Sequence, residues 1–88
     1  MRVKNGFMLR EIAGSWVVVP LGARVVEFNG LISLTETSAL IWKMIEQGFD
    51  KEAILRKMLQ EYDIDEQTAS QDIDEFISTC INKGLMEE

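Results

Sequence analysis

Covalent chemistry needs side chains that trade protons or electrons, and this chain offers few of them. Cys80 is the only thiol, and histidine is absent. Without imidazole the commonest general base and metal ligand is missing, which excludes Ser-His-Asp, Cys-His and histidine-based zinc sites. Cys80 falls on an apolar stripe with Ala69, Ile73, Phe76, Ile77 and Ile81, where a free cysteine is buried packing and not a nucleophile. The carboxylates Asp63, Asp65 and Glu66 and the pair Asp72 and Asp74 lack the spacing, central glycine and terminal glutamate of a calcium loop; Asp63 and Asp65 suit a turn and a helix cap. Gly6, Gly14, Gly22, Gly30, Gly48 and Gly84 are scattered singly, so no glycine-rich phosphate loop is built. The expectation is therefore no catalytic residue, no cofactor and no metal ligand, and a binding module in place of an enzyme.

The elements that would carry such a module divide the chain in two. Residues 7–12 and 16–20 are rich in β-branched and aromatic side chains and read as two strands, with Gly14-Ser15 as the pair closing a tight hairpin. Residues 22–30 admit a loop, a helical turn or an extra strand. Asn29-Gly30 is a turn signal, and residues 31–34 read as a short third strand. Helices follow from three cap signals. Thr35 starts one whose apolar positions include Ala39, Leu40, Trp42 and Ile45 before Gly48 ends it. Asp50 starts a second, with Ile54, Leu55, Met58 and Leu59 at helical spacing through to Tyr62. Asp65 starts the longest, which Gly84 ends with Leu85 folding back. Trp42 reads as a core anchor on its helix. The order β-β-β-α-α-α is an α+β arrangement, a three-stranded antiparallel sheet followed by three helices, on the plan of winged helix-turn-helix domains.

Length and charge narrow the partners. Residues 1–88, 47% of them hydrophobic, suffice for one modest core, so the whole chain reads as a single domain. The longest apolar run, residues 16–21, is strand length, against the ~20 residues a membrane span needs. No signal-peptide pattern follows Arg2 and Lys4, so the expected compartment is the cytoplasm, which the single cysteine suits. A net charge of −6 opposes a nucleic-acid partner, whose affinity rests on Lys and Arg displacing counterions. The third helix sharpens this: from residue 65 to 83 it carries Asp65, Glu66, Asp72, Asp74 and Glu75 against Lys83 alone, where a DNA reader needs basic and amide side chains.

A short strand can accept a peptide along its edge, because unpaired N–H and C=O groups there are completed by an added strand. Residues 31–34 are such a candidate, though periodicity alone fits a place in the sheet interior equally well. The segment Leu34-Thr35-Glu36-Thr37-Ser38-Ala39 with Ile41-Trp42 resembles the core motif of the PqqD-like family. So do the Val-Val-Val-Pro that ends at Pro20, the Phe28-Asn29-Gly30 before the third strand, Glu61-Tyr62-Asp63-Ile64-Asp65 and Gly84-Leu85. Thr35 and Ser38 stand where the family often has Asn and Gly. The resemblance implies a non-catalytic recognition element that binds the leader segment of a precursor peptide as an added strand, in the groove between the third strand and the third helix. It then presents the peptide to a modifying enzyme, commonly a radical S-adenosylmethionine enzyme. The implied contacts are Leu31, Ile32, Ser33 and Leu34 on the strand and Asp72, Glu75, Phe76 and Thr79 on the helix. A DNA-binding regulator and a structural assembly subunit are the alternatives.

Overall fold

In the computed structural model, which describes residues 1–28 and 30–88, the chain first reverses at Ala13 and Gly14, both with positive φ (51° and 81°). Positive φ at both central residues defines the turn whose twist matches that of the flanking strands. The pair is thus one residue earlier than the sequence pattern suggests: glycine is second in the turn, and Ser15 already pairs with Ile12. Strands β2 (Phe7–Ile12) and β3 (Ser15–Pro20) run antiparallel, and β4 (Ile32–Leu34) pairs antiparallel with β3, giving the order β2-β3-β4. Between β3 and β4, residues 22–30 supply one helical turn, α1 (Arg24–Glu27). Phe28 after it packs edge-on against Phe7, with ring centroids 5.1 Å apart. The turn expected at Asn29-Gly30 lies outside the described residues at Asn29.

Three longer helices follow: α2 (Glu36–Glu46), α3 (Lys51–Glu61) and α4 (Glu66–Asn82). Each begins at the expected cap, with Thr35, Asp50 and Asp65 accepting from the backbone N–H groups of Ser38, Ala53 and Thr68. Three backbone donors that a helix start would leave open are thereby satisfied. Helices α2 and α4 end alike. Gly48 and Gly84 take positive φ, and the residue after each glycine donates back into the helix, Phe49 to Met44 O at 3.0 Å and Leu85 to Cys80 O at 2.8 Å.

Two elements were not anticipated. Strands β1 (Arg2–Val3) and β5 (Met86–Glu87) form a separate two-stranded ladder, so the order gains β1, α1 and β5 around the expected β-β-β-α-α-α plan. Two-residue strands carry too little pattern to read locally; Met86 is almost fully buried, and that burial holds the ladder in place.

The core is a single cluster between the sheet and the helices, with Val18, Trp42, Ile54, Met58 and Ile73 inaccessible to solvent. Trp42 stands at its centre as expected. Its Nε1 is the one buried side-chain donor without a hydrogen-bond partner among the described residues. Glu46, one turn on, approaches closely enough to oppose the rise that burial imposes on its own carboxyl, but not to bonding distance. No helix of the described residues is long and apolar enough to cross a membrane.

Candidate functional site

The sheet register decides which backbone groups of β4 are free. Leu21 N–H donates to Gly6 O at 2.8 Å, one step beyond the Phe7–Pro20 pair, and Pro20 has no N–H to give. Hydrogen-bonded and non-bonded pairs alternate along an antiparallel ladder. It follows that Met8–Val19, Arg10–Val17 and Ile12–Ser15 are the bonded pairs of β2 with β3. Trp16 and Val18 then turn their backbone groups the other way, to Leu34 and Ile32. On β4, Ile32 and Leu34 face the ladder, and the N–H and C=O of Ser33 point out of the sheet at its open edge.

That edge borders a groove whose far wall is α4. A cavity of about 170 Å³ is lined by Ile32, Ser33 and Leu34 on one side and by Phe76, Thr79, Cys80 and Lys83 on the other, with Leu85 below. It continues past Thr35 and Ser38 into a wider hollow of about 470 Å³, bounded by Thr37, Ile41, Asp72, Glu75, Phe76 and Thr79. The helix residues recur at three and four, the spacing of one helical face. Schellman geometry at Gly84 brings Leu85 under this face, where it is 1% exposed.

Of the eight residues expected at the site, seven line this continuous groove: Ile32, Ser33, Leu34, Asp72, Glu75, Phe76 and Thr79. Leu31 does not. It precedes the strand, which begins at Ile32, and the residue is 56% exposed. A glycine neighbour and a strand start one residue later put it in the connection and not on the wall. Sequence reading did not place Thr35, Thr37, Ser38, Ile41, Cys80, Lys83 and Leu85 at the groove. The first three open α2 and so necessarily sit where β4 ends, a signal present in the cap itself. Lys83 and Leu85 depend on the helix-ending turn and could not be assigned without it.

Charge along the groove is uneven. Asp72 and Glu75 occupy the hollow beyond Thr35, whereas Lys83 stands beside β4. None of the three makes an ion pair among the described residues, although Asp74 on the neighbouring face binds Lys51 at 2.7 Å. Cys80 forms part of the floor at 2% exposure. Burial pushes its thiol up to about 11, a rise that Lys83 partly offsets, so at neutral pH it is a protonated apolar surface and not a thiolate. Among the described residues no group of three or more acidic or thiol side chains is arranged to hold a metal ion.

Comparison with known proteins adds a family and a fold. The sequence model of a family described as coenzyme PQQ synthesis protein D (PqqD) matches residues 15–86. No curated protein matches the chain. Among solved structures, TbiB1 in complex with the TbiA(beta) leader peptide superposes with a TM-score of 0.80 at 24% identity, over 99% of this chain and 95% of the other. A lasso peptide synthetase B1 complexed with the leader peptide gives 0.82 at 17% identity, over 99% and 96%. At these identities the likeness to both is one of fold.

Proposed function

The chain belongs to the PqqD family, and from that premise we propose that it is a non-catalytic recognition module which captures the leader segment of a precursor peptide as a strand added to β4. The observation that carries the reading is the coincidence of the outward-facing Ser33 backbone with a groove walled by α4. A disordered leader lying there completes the open edge and sets alternate side chains against Phe76 and the hollow beyond it. Both solved relatives are recorded with leader peptides, which supports the same class of ligand here.

Magnitudes favour moderate affinity. β4 has three residues and turns only the N–H and C=O of Ser33 outward, so within its span the edge offers one donor and one acceptor at about 0.5–1.5 kcal/mol net per bond. Micromolar binding requires about 8 kcal/mol, and ordering a free leader costs more. Side chains in the groove must therefore contribute the larger share, and they select the sequence. Residue chemistry supports no reaction on the peptide, so the module's part is to hold the leader while a modifying enzyme acts on the rest. On the family's habit, that enzyme is of the radical S-adenosylmethionine type. Duplex DNA is a poor occupant, since the wall facing the groove carries Asp72 and Glu75.

The test is a titration of ¹⁵N-labelled protein with the leader of a precursor peptide encoded beside it. Amide shifts should concentrate at Ser33, Phe76, Thr79 and Lys83 and leave β2 unmoved. Saturable shifts that map to β2 or to α3 would overturn strand addition at β4.

A further inference from the structure

The groove has a direction written in charge. Asp72 and Glu75 lie at the end beyond Thr35, Lys83 lies beside β4, and Phe76 and Thr79 between them belong to both parts of the groove. All three charged side chains lack an ion-pair partner among the described residues, so each is available to a ligand. Glu75 on α4 and Lys83 at its C-cap, which keeps helical backbone angles, are eight positions apart, which at ~1.5 Å per residue is about 12 Å along the helix. An extended peptide rising ~3.4 Å per residue spans that distance in about four residues. Positions i and i+4 of a strand share a face, with i+2 between them. The helix repeat and the strand repeat therefore coincide at the two charges.

We infer that the groove selects a leader segment with a basic residue, an apolar residue two positions on and an acidic residue two further on. The basic side chain meets Asp72 and Glu75, the apolar one rests midway at Thr79 and Cys80 beside Phe76, and the acidic one meets Lys83. Antiparallel pairing, the more stable arrangement per residue, sets the basic residue nearer the peptide's N-terminus, because the carboxylates lie past the C-terminal end of β4. This inference rests on the proposed capture of a leader at β4, and adds the chemistry of what is captured. Charge pairs at such an exposed rim contribute little each, so they act by sorting sequences and orienting the strand more than by raw affinity.

A display library of random twelve-residue peptides tests it, panned at about 0.15 M salt against wild type, the double variant Asp72→Lys/Glu75→Lys, Lys83→Glu and Ser33→Pro, each first shown by its melt to be folded. Wild type should enrich the basic-x-apolar-x-acidic pattern in that order at least tenfold over its reverse. The double variant should lose the basic preference, Lys83→Glu the acidic one, and Ser33→Pro all enrichment. Peptides that depend on Ser33 but show no charge preference, or the same preference in the charge-reversed variants, overturn this inference and leave capture at β4 standing. Absence of any peptide whose retention depends on Ser33 removes both.

Discussion

Strands β2 and β4 flank the same central strand, yet they present their outer edges to different surroundings. By the alternation of the ladder, β2 turns the backbone groups of Phe7, Leu9 and Glu11 outward, and its far half carries exposed Arg10, Glu11 and Ile12. Charged residues on an edge strand discourage further pairing. β4 is half as long and turns out only Ser33 within its span, but α4 stands beside it with Phe76, Thr79 and Lys83. Free hydrogen-bonding groups are common to both edges. A second element that can sort side chains borders β4, and sorting is what turns an adhesive edge into a selective one.

The largest effect expected from probing this contrast is Ile32→Pro. Its N–H faces Val18 in the ladder, and proline there should lower stability by about 3 kcal/mol, read by urea unfolding. Ser33→Pro, one residue on, removes a donor that faces the groove; its melt should stay near wild type while leader binding is lost. Equal unfolding of the two variants would show the register to be wrong and β4 to be internal.

A second effect sits beneath the same edge. The Cys80 thiol is raised from 9.0 to about 11 in the folded protein, so between those values the unfolded chain releases a proton that the folded one keeps. Stability is complete below pH 9 and should fall as pH rises toward 11, by about 2–3 kcal/mol at about 1.4 kcal/mol per unit. Unfolding curves at pH 8 and pH 10.5 measure it, and Cys80→Ala should flatten this component of the difference. A thiol that alkylates rapidly in the native state at pH 7 would contradict the burial argument.

Smaller still is Thr35→Ala. It deletes the cap bond to Ser38 N–H, 3.1 Å long, and should cost about 1 kcal/mol, with a modest loss of leader affinity because Thr35 lines the bend of the groove. At the bottom of the scale, Leu9→Pro removes an outward donor on β2 and should leave leader affinity unchanged. Loss of binding in that variant with the fold intact would move the acceptor edge from β4 to β2.

Much of the helical half was legible because its signals are local. Thr35, Asp50 and Asp65 each lie three residues before the N–H they accept from, and the stripe that includes Ala69, Ile73 and Cys80 repeats within one helix. The sheet was less legible. The hairpin slipped by one residue because Ala13 adopts a positive φ that its residue type does not favour. The β1–β5 ladder joins residues more than eighty positions apart, beyond the reach of any periodic pattern.

The amino-acid sequence alone determined the caps, the apolar faces, the lack of imidazole chemistry and the acidic character of α4, since each depends on residue type and near spacing. Tertiary structure decided which edge of the sheet α4 borders, that Ser33 and not Ile32 faces outward, and that Lys83 stands beside β4 while Asp72 and Glu75 lie past its end. The reason is that strand pairing fixes backbone direction with period two, and packing of α4 on the core fixes which of its faces meets β4. Both follow from contacts between distant segments, which a residue's neighbours along the chain do not specify.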